Sequence, residues 1–222
     1  MSFSSEWESI YQANQQMSIW PWSDLISYVM RYSKPTNEKF KVLELGCGAG
    51  ANILFFQHLN VDYYATEGSE SVVDYLINKH PSLSEKIKVA DFTKEIPFDM
   101  DFDLIFDRAA IAHNSTSAIK SCIDLISRHL KHNGLFIGID WFSTSHTAFN
   151  SGTFTTDSNT KNNYPPGHFH QVGQVHFSDR LHIEELFEAF ELIKLEHKTV
   201  VEECPKTDYQ LAWWNFVVKK IK

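Results

Sequence analysis

Residues 42–52 read VLELGCGAGAN, with Gly46, Gly48 and Gly50 at alternate positions after an apolar run and an acid, Glu44, two residues before the first glycine. Glycines so spaced let a backbone approach a ligand closely. At the junction of a strand and a helix they also offer N–H groups and the positive end of the helix dipole to an anion. A phosphate loop of the GxxxxGK[ST] type is excluded, because neither its spacing nor its lysine is present. The dinucleotide fingerprint is formally met by Gly46, Gly48 and Ala51, and Glu67 closes the next apolar segment at a distance suited to a ribose diol. On these residues alone a nicotinamide-dependent oxidoreductase stays open.

These residues need elements to hold them. Apolar runs at 41–45, 62–66, 87–89, 102–107 and 135–140 alternate with segments of helical periodicity, which predicts parallel strands joined by crossover helices. Asn133-Gly134 reads as the stop of the helix ending SRHLKH. Two last strands, at 190–201 and 212–220, are separated only by a short polar segment and must be antiparallel to each other. Residues 143–177, about 35 in number and rich in Ser, Thr, Asn, Gly and Pro, are expected to form a long irregular loop that binds or covers a ligand. Residues 1–40 carry Trp7, Tyr11, Ile19, Trp20 and Trp22 on two short helices, the second capped by Ser23 or Asp24; they either pack on the sheet or close over a ligand. The expected organisation is one domain over 1–222: a helical lid (1–40), a core (41–142), an insert (143–177), and a C-terminal helix with the strand pair (178–222).

The chain has 222 residues and a formal charge of −8, enough for one substantial core and the wrong sign for a phosphate-binding stripe, so no nucleic-acid partner is expected. The opening MSFSSEWESI is unlike a secretory signal, and no apolar run approaches a membrane span, so a cytoplasmic protein with no membrane partner is expected. Three scattered cysteines, Cys47, Cys122 and Cys204, form no CxxC pair and suit a reducing compartment. Cys47 is read as a small residue fitting the turn.

Taken together, ELGCGAG, YYATEGSE, IKVADFT and the antiparallel final pair resemble the class I S-adenosylmethionine-dependent methyltransferases, from about residue 41 to the end. The resemblance implies a Rossmann-like three-layer αβα sandwich, with a mostly parallel seven-stranded sheet and an antiparallel last strand. It implies S-adenosylmethionine as cofactor and S-adenosylhomocysteine as product. Glu44, Gly46, Gly48 and Gly50 would surround the methionine portion, Glu67 would accept the ribose hydroxyls, and Asp91 would take the adenine amine beside the N–H of Phe92. Asp107 would close the fourth strand at the same site. A non-catalytic protein that only binds this cofactor is a second alternative, distinguished by the lack of an acceptor pocket.

For the acceptor, the reacting groups should lie beyond the strand ends FDLIFDRAAIAHNST and LFIGIDWFSTSH. No NPPY-type signature follows the fourth strand. The Asp107-Arg108-Ala109-Ala110 segment and the N-terminal WESIY are instead similar to the thiopurine methyltransferase branch, which implies Arg108 as a clamp for an acidic or polar small molecule. The GCGAG form of the first motif departs from that branch, and methylation of oxygen or nitrogen is expected ahead of sulfur. His113 is the first choice of general base, with Asp140 and His146 behind it. Trp20, Trp22, His146, His168, His170 and His176 are expected to line the acceptor pocket with Tyr164, Phe169 and Phe177. His168, His170 and His176 lack a carboxylate or cysteine at ligand spacing, so no metal is expected. Nothing in the sequence sets the oligomeric state.

Overall fold

The computed structural model describes residues 5–155 and 157–221. The first four residues of the expected lid, Thr156 of the insert and Lys222 lie outside the described residues. Two short helices come first, α1 (Ser5–Gln12) and α2 (Ser23–Tyr28). Alternation then begins: β1 (Lys41–Leu45), α3 (Ile53–His58), β2 (Asp62–Glu67), α4 (Glu70–Lys79), β3 (Ile87–Val89), β4 (Phe102–Arg108), α5 (Thr116–His129) and β5 (Leu130–Phe142). The insert contributes three short strands, β6 (Thr153–Phe154), β7 (Thr160–Asn162) and β8 (Val175–His176), before α6 (Arg180–Leu186), β9 (Phe190–Glu203) and β10 (Lys206–Lys220).

The main sheet has seven strands in the order β3-β2-β1-β4-β5-β10-β9. β1 pairs in parallel with β2 and β4, β2 with β3, and β4 with β5, while β10 is antiparallel to both β5 and β9. The last strand of the chain is therefore the one that runs against the others, and the architecture is the Rossmann-like methyltransferase fold. Alternation along each strand sends side chains to two cores. Leu43, Leu45 and Ile105 pack with Ile119, Ile123 and Ile126 of α5. Val42, Leu104 and Phe106 pack on the opposite face with Ile53 and Phe56 of α3 and Val72 and Leu76 of α4. Glu44 shares parity with Val42 and is carried to the α3 face.

Three local expectations are corrected. The α5 helix stops at His129, earlier than SRHLKH suggests, and β5 starts at once; Asn133, at φ 63, is a kink inside that strand. Neither Ser23 nor Asp24 caps α2, whose cap position is Trp22 with no side-chain bond. Asp24 is drawn away by the C-terminal strands, accepting from Lys198 Nζ at 2.6 Å and Asn215 Nδ2 at 3.2 Å. The insert is not an irregular loop: β6, β7 and β8 form a small antiparallel sheet over a core of their own, built from Ala148, Tyr164, Phe169, Val175 and Phe177. Its aromatics are spent on that core and do not line a pocket.

Candidate active site

Past the carboxyl ends of β1, β2 and β4 opens a cleft whose empty volume, part of it open to solvent, is about 1050 Å³. One wall is the glycine turn. Gly46 sits at φ +68, and a Cβ there would lie 2.4 Å from the Ala110 Cβ, so only glycine lets the β1 and β4 loops meet. Gly50, at φ +80, does not line the cleft; it lets the turn pack on Leu76 and Ile53. Glu67 is 4% exposed and binds the turn with its carboxylate: Oε2 accepts from Gly48 N at 2.8 Å, Oε1 from Gly68 N at 2.8 Å and Ser69 N at 3.1 Å. Burial pushes its pKa up, against the opposing pull of those N–H groups.

Glu44 lies deeper. Its Oε1 accepts from Asn52 Nδ2 at 2.7 Å and its Oε2 from the Tyr63 hydroxyl, and burial pushes its pKa up to about 8. Asn52 Oδ1 is buried on the cleft wall with no hydrogen-bond partner in the structure. Asp91 and Phe92 complete this side, Asp91 accepting from the Thr93 hydroxyl at 2.7 Å and pairing with Lys94 at 2.7 Å. Cys47 is a buried thiol whose pKa burial pushes up, in keeping with a small turn residue. Asp107 faces away from the cleft: its Oδ2 accepts from Ile111 N at 2.9 Å and its Oδ1 from Trp141 Nε1 at 2.7 Å, which fixes the Arg108–Ala110 bend. Burial raises it to about 7.

The opposite wall combines the N-terminal segment with the β4 loop. Trp7, Tyr11 and Trp22 line it with Arg108 and His113. Glu8 anchors α1 by accepting hydrogen bonds from Ser69 and Ser71 at the start of α4, which hold its carboxyl below the ordinary range. The Arg108 guanidinium lies 3.7 Å from the centroid of a Trp22 ring, and its Nε donates to Asp140 Oδ2 at 2.7 Å. Asp140 is held at φ +59 with its N–H donated to Asn215 Oδ1 at 2.9 Å. That positive φ breaks the alternation of β5 and puts Trp141 on the same face as Phe136. The His113 ring meets Trp7 edge-on at 5.0 Å and Phe142 at 5.8 Å, and its Nδ1 is 3.2 Å from the Gln174 carbonyl. Burial lowers its pKa to about 4, so it is neutral near pH 7.

Residues 42–134 match the family described as a methyltransferase domain. Over those residues the chain is similar to that family, and the likeness spans less than half of its length. Similar folds are found in a methyltransferase from Methanosarcina mazei, at 13% identity and a TM-score of 0.68 over 91% of this chain and 99% of the other. Another is the 1,6-didemethyltoxoflavin-N1-methyltransferase of Burkholderia thailandensis, at 15% identity and 0.67 over 98% and 87%. The N-methyltransferase NodS of Bradyrhizobium japonicum follows at 13% and 0.59 over 90% and 85%. A search of the curated proteins gave no match.

The lining of the cleft has a consistent chemical character. Glu44, Glu67 and Asp91 surround the glycine turn with the unpartnered Asn52 Oδ1, so the donor side is rich in acceptors. Such a wall accepts hydrogen bonds from hydroxyls and an amine. Asn52 escaped the sequence reading; its signal is a polar residue heading the apolar run ILFF on the face shared with Glu44. Of the N-terminal aromatics expected either to pack on the sheet or to close over a ligand, Trp7, Tyr11 and Trp22 line the cleft.

Several expected acceptor residues lie elsewhere in the molecule. Trp20 is 69% exposed and outside the cleft lining. His168 and His170 flank Phe169 in a turn; Phe169 is buried in the insert core, and both histidines are left at the surface. His146 is buried, with its Nδ1 accepting from Ala148 N at 3.0 Å to cap a short 3-10 turn, which removes it from base chemistry at the cleft. Asp140 reaches the cleft only through Arg108. Among the described residues, no group of three or more His, Cys, Asp or Glu could hold a metal ion, and no helix is long and apolar enough to cross a membrane.

Proposed function

We propose that the protein methylates an oxygen or nitrogen of a small acidic acceptor bound between Trp7, Trp22, Arg108 and His113. Bound S-adenosylmethionine supplies an electrophilic methyl group on a sulfonium, an in-line displacement that rewards alignment of the nucleophile. In this reading Gly46 and Gly48 hold the methionine portion with Asn52 and Glu44 nearby, Glu67 accepts from the ribose, and Asp91 and Phe92 receive the adenine. Tyr11 covers the turn, its hydroxyl 3.1 Å from where a Gly48 Cβ would stand.

One observation carries the acceptor assignment. Arg108 is fixed from two sides, by the Trp22 ring at 3.7 Å and by Asp140 at 2.7 Å through Nε, which leaves its terminal nitrogens for an anion beside a neutral imidazole. His113 then removes the acceptor's proton, a contribution of roughly 10²–10⁴-fold for a positioned base. The formal charge of −8 supports a small-molecule partner over a nucleic acid, and three free cysteines support a cytoplasmic setting.

The test is transfer of labelled methyl to a panel of small carboxylated phenols and amines, their uncharged analogues, and thiols. Arg108→Ala should raise KM for the charged acceptors by about tenfold or more while kcat holds, as loss of uniform binding requires. Equal turnover of charged and uncharged analogues would remove the clamp. Turnover of thiols alone would remove the base, and donor binding without turnover would leave a sensor.

A further inference from the structure

Among the described residues the insert supplies no side chain to the cleft wall, yet it reaches His113 through a backbone carbonyl. The Gln174 carbonyl lies 3.2 Å from His113 Nδ1. A carbonyl only accepts, so in the neutral ring Nδ1 carries the proton and Nε2 the lone pair. Gln174 directly precedes β8 and follows Gly173 at φ +75, so the placement of that carbonyl depends on whatever pins β8 to the core.

A partly buried chain of hydrogen bonds does the pinning. Asp157 Oδ1 accepts from Asn159 N at 3.0 Å and Thr160 N at 2.8 Å, folding the start of β7 around the carboxylate. Its Oδ2 accepts from the Thr160 hydroxyl at 3.0 Å and from Thr116 N at 3.1 Å. Thr116 opens α5, three residues after His113. The Thr160 hydroxyl has one proton, given to the carboxylate, so at 3.1 Å it accepts from His176 Nδ1. His176 Nε2 is then bare and accepts from His182 Nε2 on α6, also at 3.1 Å. Every donor direction in the chain from α6 through β8 and β7 to Asp157 is thereby set, and its end is fastened to the helix that follows His113. These bonds hold the Asp157 carboxyl below its ordinary range, as a carboxylate that must stay ionised requires.

We propose that Asp157 is a positioning residue that locks the insert against the start of α5, so that Gln174 keeps His113 in its Nδ1–H form with Nε2 available as the base. The catalytic half of this statement rests on the reading of His113 given above; the tautomer half does not.

The test uses the full chain labelled with ¹⁵N-histidine, with the His113 ring signals assigned through His113→Ala. In the wild type, Nδ1 should appear protonated and Nε2 unprotonated near neutral pH. Asp157→Asn should collapse that split toward averaged shifts and lower kcat about tenfold, part of what a positioned base contributes, with the dissociation constant for S-adenosylhomocysteine unchanged within about twofold. Should Asp157→Asn fail to fold, Thr116→Pro removes the donated N–H together with the Thr116 hydroxyl and keeps the Asp157 carboxylate, because proline is tolerated at the first position of a helix. An averaged or Nε2–H ring in the wild type overturns the proposal. So does a wild-type ¹⁵N pattern in the folded variants. A collapsed split with kcat unchanged, there and in His113→Ala, would sustain the locking and remove His113 as the base.

Discussion

The donor wall and the acceptor wall of the cleft are built in opposite ways. The donor wall comes from short stretches that act locally: Glu44 to Asn52, Glu67 to Ser69, and Asp91 to Thr93, each within a few residues of a strand end. The Glu67 carboxylate grips backbone N–H groups of the turn, and burial pushes the pKa values of Glu44 and Glu67 up. The acceptor wall is assembled from Trp7, Trp22, Arg108 and His113, with Asp140 and Gln174 behind them, so each functional group depends on a partner far away in sequence. Its histidines are neutralised downward by the same burial. A backbone cradle tolerates almost no change at one atom, whereas a side-chain assembly can be dismantled piece by piece.

The largest effect should come from breaking the cradle. In Gly46→Ala the new Cβ meets the Ala110 Cβ at 2.4 Å on a backbone held at φ +68, so the β1 and β4 loops must separate. Calorimetry with S-adenosylhomocysteine should show affinity falling at least a hundredfold, or about 2.7 kcal/mol. The insert, which makes none of these contacts, should keep its hydrogen-exchange protection. Binding within threefold of wild type would show that the turn does not shape the donor site.

Acid and base should loosen different walls. The pKa values of His113 and His146 are lowered to about 4 and that of His176 to about 3, from about 6.5 in the unfolded chain. Their stabilisation is present above about pH 6.5 and is lost as pH falls through those values, with a slope of up to about 1.4 kcal/mol per pH unit for each group. Glu44, raised to about 8, and Asp107, raised to about 7, contribute stability that is present at low pH and lost as pH rises through those values. Hydrogen exchange corrected for intrinsic rates should open the insert first near pH 4.5 and the glycine turn first near pH 9. The same region opening at both ends would mean that burial does not divide the charges this way.

The same contrast decided what could be read from the sequence. Strand positions from β1 to β4 and the antiparallel end followed from apolar runs and connection lengths, because both are local signals. The residues proposed for the donor lie in three short motifs, and Glu44, Gly46, Gly48, Glu67, Asp91 and Phe92 share one cleft wall. What failed were features set by tertiary competition. Asp24 left a cap position for Lys198 and Asn215, and α5 stopped early to let β5 begin. The aromatics of the insert turned inward around Phe169, because a segment of that size with so many rings buries them against one another before it offers them to a ligand. Asn52, Gln174 and Asp157 carry no motif; their roles exist only once the chain is folded.

The smallest effects separate two tryptophans two residues apart. Trp22 has 38% of its surface exposed and lays a ring against the Arg108 guanidinium; Trp20 is 69% exposed and does not line the cleft. Trp22→Ala removes a cation–π contact of about 0.5–2 kcal/mol, so KM for a charged acceptor should rise severalfold while donor affinity holds. Asp140 still grips Nε in that variant, which keeps the loss below that of Arg108→Ala. Trp20→Ala should change stability by less than about 0.5 kcal/mol, as an exposed substitution does, and turnover by less than about twofold. His170→Ala, at the surface of the insert turn, belongs with it. A KM effect at Trp20 equal to that at Trp22 would mean that the whole N-terminal segment folds over the acceptor, and that the acceptor wall extends past Arg108.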